Sequence, residues 1–107
     1  MATKATYGPK GTRVVFENDR VRVWEIELQP GQTLAMHHHD LDYVVVTLTE
    51  GQTTVEWEDG RRETREQTPG ALTWREAPHA HALTNTGTTV YRNRMIELKQ
   101  GRTAVDR

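Results

Sequence analysis

Residues 36–51 read MHHHDLDYVVVTLTEG, and the fold class turns on this stretch. Three successive valines between Tyr43 and Thr47 favour extended backbone, because branched and aromatic side chains pack well on a pleated surface. Asp40 lies in the turn ahead of this run, and Glu50-Gly51 closes it. The histidines before the turn end another extended segment, TLAMHHH. Residues two apart in a strand point the same way, with Cα atoms ~6.6 Å apart. His37 and His39 therefore share one face and His38 takes the other. The remaining two of the five histidines, His79 and His81, sit in PHAHALTNTG, residues 78–87, and repeat that geometry. Imidazoles two apart can converge on one divalent ion at ~2.0–2.1 Å per nitrogen. The alternative is that both pairs are only polar strand ends.

Outward from this stretch the chain alternates β-branched runs with turn signals roughly every eight to twelve residues, as in a sandwich or barrel. TRVVFEN is a short strand, and ENDR turns into VRVWEIELQ. In that strand Arg22, Trp24, Ile26 and Leu28 share one face, and Val21, Val23, Glu25 and Glu27 the other. QPGQ leads into TLAMHHH. TTVEWEDGRRETRE is a hairpin, with a two-residue type I′ turn expected at Asp59-Gly60. TPGALTW, HAHALTN and TTVYRNRMIEL supply further strands. RNRMIELKQ can wind helically, but it continues a β-branched run and reads as strand. The expectation is an all-β, antiparallel double-sheet domain of eight or more strands over residues 12–98. Residues 1–11, with Gly8, Pro9 and Gly11, form a mobile or partner-docked arm, and residues 99–107 a C-terminal tail.

Composition narrows the function. A chain of 107 residues is one domain, able to bury roughly two thirds of its unfolded surface. Lys plus Arg number 14 against 15 Asp plus Glu, interleaved along the chain, so there is no electrostatic footprint for nucleic acid. GRRETREQ, residues 60–67, reads as a solvated hairpin arm. The chain contains no cysteine, which removes disulfides, thiol catalysis and thiolate metal sites. It contains no serine either, which removes a serine-based triad. No glycine-rich loop supports nucleotide binding. The first 16 residues lack the apolar stretch of a secretory signal, and no run approaches the ~18 apolar residues of a membrane span. A soluble cytoplasmic protein with no nucleic-acid or membrane partner is expected.

Two spacings carry a resemblance. Gly31, five residues, His37-x-His39 and then Gly51 at the end of an apolar strand resemble the first signature of the cupin superfamily. Pro69-Gly70, followed by His81, three residues and Asn85, resembles the second. ENDRVRVWEIELQPGQ is similar to the strand and turn that commonly precede the first signature. The resemblance spans residues 12–98 and implies a small jelly-roll β-barrel with His37, His39 and His81 as ligands of an internal divalent metal. The usual glutamate is replaced by Tyr43 and Val44, so the carboxylate ligand is either Asp42, by a local shift, or absent. EAPHAH stands where Pro-x-Gly is usual and offers His79 as an extra imidazole. Asn85 reads as turn-stabilising.

The ion expected is Fe, Ni, Mn, Cu or Zn; imidazole ligation suits Zn, Cu, Fe or Ni alike, so the ligand set does not name it. Three neutral imidazoles leave the full charge of the ion on its open positions, favouring an anionic or enolate-type oxygen ligand. The family includes three-histidine iron centres that cleave carbon–carbon bonds or oxidise thiols. The function implied is a metal-dependent, dioxygenase-like or isomerase/lyase-like enzyme acting on a small organic acid or dicarbonyl compound. The alternative is a non-catalytic small-molecule or metal-binding accessory module. Small cupins usually pair as homodimers, often by exchanging an N-terminal strand, and TRVVFEN is compatible with that.

Lesser candidates complete the reading. Tyr43 is a candidate acid–base or anion-binding hydroxyl, or else a rim aromatic. Trp74 and Met36 line a pocket or pack the core. Arg75, Glu76, Arg92 and Arg94 bind a carboxylate substrate only if they face inward, and alternation alone leaves open whether Arg92 and Arg94 or Tyr91 and Asn93 do so.

Overall fold

The computed structural model describes residues 7–99, and among them are nine strands and no helix. They are β1 (Arg13–Glu17), β2 (Val21–Leu28), β3 (Thr33–His39), β4 (Tyr43–Thr47), β5 (Gly51–Trp57), β6 (Arg62–Gln67), β7 (Leu72–Arg75), β8 (His79–Asn85) and β9 (Tyr91–Leu98). Every pairing is antiparallel. Two sheets result, in the orders β1-β2-β9-β4-β7 and β3-β8-β5-β6. The expected double-sheet jelly-roll architecture is therefore present, and RNRMIEL is strand. No helix among the described residues is long and apolar enough to cross a membrane.

Alternation decides what each strand presents to the space between the sheets. In β9, Tyr91, Asn93, Met95 and Glu97 are buried while Arg92, Arg94, Ile96 and Leu98 are half-exposed. This settles the open question: Tyr91 and Asn93 point in, and Arg92 and Arg94 point out. Ile26, Leu28, Leu34, Tyr43, Tyr91 and Met95 form the core, with Trp24, Val45 and Leu83 against it. Burying each such large side chain contributes about 1.5–3 kcal/mol.

The β3–β8 register contains an irregularity that determines the site. Leu34 is opposite Leu83 and His37 opposite His81, so Ala35 and Met36 together face the single residue Ala82. This is a β-bulge, which shifts the side-chain alternation by one. Leu34 points inward ahead of it, and His37 and His39 point inward after it.

Several expectations are corrected. Asp59-Gly60 does not form a type I′ turn, which needs positive φ at both central residues; only Gly60 has it, at 95°. The Trp57 carbonyl instead accepts from Gly60 N at 2.9 Å, and Trp57 N donates to the Arg61 carbonyl at 2.8 Å. This makes a three-residue loop, Glu58–Gly60, in which glycine alone takes the left-handed position. Asp59 Oδ1 accepts from Arg61 N at 3.0 Å, which holds Asp59 out of that conformation.

Trp74 neither packs the core nor lines a pocket, being 52% exposed on the outer face of β7 with Nε1 donating to Glu76. Met36 is half-buried in the bulge, outside the core cluster. Residues 7–11 of the expected mobile arm lie against their own chain, while residues 1–6 fall outside the described part. Gly8 N donates to the Met36 carbonyl at 2.8 Å. Gly11 passes so close to Trp24 that a Cβ there would meet its side chain at 3.0 Å, so a larger residue would require Trp24 to shift by a few tenths of an ångström.

Arg92 and Arg94 serve the outer face, where Glu25 is buried beneath guanidinium groups. Arg13 reaches Glu25 at 2.7 Å, Arg92 at 2.8 Å and Arg94 at 3.9 Å. Hydrogen bonding from Arg92, against the opposing effect of burial, and the charges of Arg13, Arg92 and Arg94 hold the Glu25 carboxyl below the usual range. A depressed folded-state pKa stabilises above the unfolded value of about 4.3, and that stability is lost as pH falls through the folded value. Glu25→Gln should therefore be less stable than the natural protein near neutral pH, and the gap should narrow below about pH 4. Urea unfolding across that range checks this, and a gap that is constant or widens on acidification contradicts it.

Candidate metal centre

The bulged strand and its partner bring three histidines to one point. His37 and His39 from β3 and His81 from β8 are buried, and one ring nitrogen of each lies within 4.8 Å of the others. The ring centroids are 4.8 Å apart for His37–His39 and His37–His81 and 5.0 Å for His39–His81, with planes at 74–84° to one another. The bulge also fixes a tautomer. His37 Nδ1–H donates to the Ala35 carbonyl at 2.8 Å, so its Nε2 carries the lone pair. An outer hydrogen bond of this kind is the usual support of a metal-binding imidazole.

The donor chemistry fits a metal ion. Both ring nitrogens of His39 and Nδ1 of His81 are buried without any hydrogen-bond partner, an expensive state for an imidazole in isolation. The rings are also held unprotonated. Burial, then the neighbouring histidines, push His39 far below its ordinary range, and the same causes push His81 down to about 3. His37 is lowered chiefly by burial. Neutral imidazole is the form that ligates.

The other sequence candidates lie around this group and not in it. Asp42 is half-buried in the β3–β4 turn, where Oδ1 accepts from Ala77 N at 2.9 Å. It borders a surface depression with Asp40, Glu76 and Pro78. As a possible ligand Asp42 is thus not brought to the histidines, because the turn aims its carboxylate at the β7–β8 connection. His79 lines the same sheet face as His39, but both its nitrogens are engaged. Nδ1–H donates to the Glu76 carbonyl at 3.0 Å, so Nε2 accepts from the Tyr43 hydroxyl at 2.9 Å. Tyr43 is buried and stacks on His39 at 4.2 Å, which makes it part of the site and not a rim residue. Burial keeps its proton on, raising the phenol above its ordinary range. Asn85 is wholly committed to a turn, donating to the Leu28 and Thr89 carbonyls and accepting from Gly87 N.

The histidines border a cavity of ≈ 60 Å³ between the sheets. Arg75 lines it and also lies over Trp57, 4.9 Å from the ring centroid. Glu76 is exposed and points away. Two cationic cavity residues escaped the sequence reading. Arg65, in the arm read as solvated, lines the cavity, because β6 pairs with β5 so that Arg65 stands opposite the inward Thr53. Lys10, in the segment read as mobile, also lines it and donates to Asp40 at 2.9 Å and Glu97 at 2.7 Å. Alternation in RETREQ was the one available signal for Arg65; nothing local marks Lys10. Glu97, on the inner face of β9, also accepts from Trp24 Nε1 at 2.9 Å. Glu97 and Asp40 are thus paired with Lys10, and Arg65 is paired with Glu63 at 3.1 Å, so the lining offers Arg75 and neutral imidazoles.

No protein-family model matches the sequence, and no curated protein matches it. Solved structures do. A cupin domain from Bordetella pertussis is 32% identical, with 91% of this chain and 99% of that one aligned at a TM-score of 0.76. An RmlC-like cupin family protein from Methanocaldococcus jannaschii, of double-stranded β-helix fold, is 13% identical over 92% of each chain, at 0.69. A predicted oxalate decarboxylase from Thermotoga maritima is 18% identical over 75% of this chain and 68% of that one, at 0.57. The last two likenesses concern the fold alone.

Proposed function

The chain belongs to the cupin superfamily, and on that premise we propose that it holds one divalent transition-metal ion on His37, His39 and His81 and acts on a small organic acid or dicarbonyl compound. The carrying observation is the set of buried ring nitrogens without partners. When bound, the ion supplies Lewis-acid polarisation of a ligand oxygen. Iron, nickel, copper and zinc suit such a ligand set, whereas manganese favours carboxylate oxygens.

The remaining roles belong to the chain. Arg75, which lines the cavity and makes no ion pair among the described residues, draws in and orients a carboxylate. Tyr43 keeps its proton and donates a hydrogen bond to His79 Nε2, so toward that carboxylate's neighbourhood its hydroxyl oxygen presents an acceptor. His79 orients the hydroxyl, and the Glu76 carbonyl in turn fixes the His79 tautomer. Trp57, within 5.1 Å of the His81 ring centroid, helps exclude water from one side. A small carboxylate is also what the description of the Thermotoga neighbour suggests.

A binding-only role is the second reading. It is favoured by the lack, among the described cavity residues, of an unengaged basic group: Glu97 is paired and both nitrogens of His79 are occupied. Elemental analysis of tag-free protein should find near one equivalent of a transition metal. Turnover of short keto, hydroxy and dicarboxylic acids by protein reconstituted with Fe(II) or Ni(II) should then separate the readings. Full metal occupancy with no turnover leaves the binding role, and no metal even after reconstitution removes both.

We also propose a homodimer. Phe16, Val23, Ile96, Val44 and Trp74 form an apolar row across the outer face of the five-stranded sheet. Leu72, 69% exposed, stands beside it. A face of that kind invites a partner. Sedimentation at micromolar concentration should give twice the chain mass of 12.3 kDa, and a monomer would rule the proposal out.

A further inference from the structure

The end of the cavity away from the histidines has its own chemistry. Asn93, Thr47, Thr53 and Tyr91 are all buried there and line the cavity together with Gln67. Most of their polar atoms pair. Asn93 Nδ2 donates to the Tyr91 hydroxyl at 2.9 Å, Thr47 donates to Gln67 Oε1 at 3.1 Å, and Gln67 Nε2 donates to Thr53 Oγ1 at 2.9 Å. Asn93 Oδ1 does not. It is buried without any partner, and a strong acceptor left so is costly unless an occupant of the cavity supplies a donor.

Thr53 and Trp57 are four residues apart on β5, and Trp57 stands opposite His81 while Thr53 stands opposite Asn85. About 13 Å of strand thus separates the two polar ends. Val45, Val55, Leu83 and Met95 form the apolar wall between them.

We propose that this floor is a second recognition point within the cavity, with Asn93 Oδ1 receiving a hydrogen bond from an uncharged donor at the far end of the ligand. The proposal rests on the metal-site reading and deepens it by naming a class. The ligand is a short-chain carboxylic acid or enolisable carbonyl compound, with an apolar middle and a terminal primary amide or hydroxyl. The floor group is an uncharged donor: Asn93 Oδ1 is an acceptor and repels a carboxylate, and an ammonium would share the cavity with Arg65, which lines it opposite Thr53 and is already paired with Glu63 at 3.1 Å.

Two acids of matched shape test this. Glutaramate ends in a primary amide, and in 5-oxohexanoate a methyl group replaces the amide NH2. Calorimetric titration of the metal-loaded protein should show glutaramate binding at least about tenfold tighter, since a site with a buried acceptor rejects the analogue that lacks the donor. Asn93→Leu should abolish that preference. Equal affinities in the natural protein, a preference that survives Asn93→Leu, or no binding of either acid at millimolar concentration overturns the proposal. The natural protein decides the matter even if the leucine variant does not fold. The metal reading fails separately: metal-free protein should bind both acids more weakly, yet still favour glutaramate.

Discussion

His39→Ala should leave the protein essentially free of transition metal. Its ring is flanked by His37 and His81 at 4.8 and 5.0 Å between centroids, stacks on Tyr43, and has no other partner for either nitrogen. Losing a mere outer-sphere partner typically costs 10–100-fold in metal affinity, so losing a ligand should exceed about 100-fold. Competition against a chelator of known affinity measures it. A second arm separates ligation from packing. In metal-free protein the unpaired imidazole is a burden, so His39→Leu should match or exceed the thermal stability of the natural apoprotein. With metal added, only the natural protein should gain stability, as binding to the folded state requires. If His39→Leu lowers apoprotein stability sharply and leaves metal content intact, His39 is a packing residue.

The second large effect belongs to Glu97. It is fully buried and joins Trp24 Nε1, Lys10 and, at 3.6 Å, Arg22. Glu97→Ala leaves the Trp24 indole N–H without a partner and the Lys10 ammonium with Asp40 alone. Breaking a buried pair on one side costs about 3–5 kcal/mol, a large part of a typical domain stability of about 5–15 kcal/mol. The melting temperature should fall by at least about 12 °C. The loss should be felt locally too. Residues 7–11 are held by Lys10 and by the Gly8–Met36 hydrogen bond, so Gly8 amide exchange should quicken well beyond what global destabilisation explains. A drop of under 1 kcal/mol would mean that Lys10 is equally content with Asp40 and solvent.

What could be read without coordinates follows one physical rule. Period-two alternation states which side chains share a face, so His37 with His39 and His79 with His81 were legible, as was Asn85 as a turn residue. Alternation does not state which face is inside. Strands with strong apolar contrast, such as β2, answer that themselves; β6 and β9 carry charge or polarity on both faces and do not. Hence Arg65, Asn93 and Glu97 became visible only through pairing with distant strands. Lys10 is harder still, since its partners lie 30 and 87 residues away. Asp42 misleads for another reason: two residues of turn backbone re-aim a side chain that strand logic would place near the histidines.

The extra residue at Ala35–Met36 has a consequence for how this protein can change. Because Leu34 and His37 both face inward across it, the position of the ligands depends on the bulge as well as on their identity. With two residues between Leu34 and His37, strict alternation would present His38 to the interior in place of His37 and His39, and only the bulge prevents it. Deleting one codon within that pair would make the bulge unnecessary: one residue would face Ala82, and His37 would still stand inward opposite His81. The ligand set would survive such a shortening, while the hydrogen bond from His37 Nδ1 to the Ala35 carbonyl, made across the bulge, would have to be rebuilt.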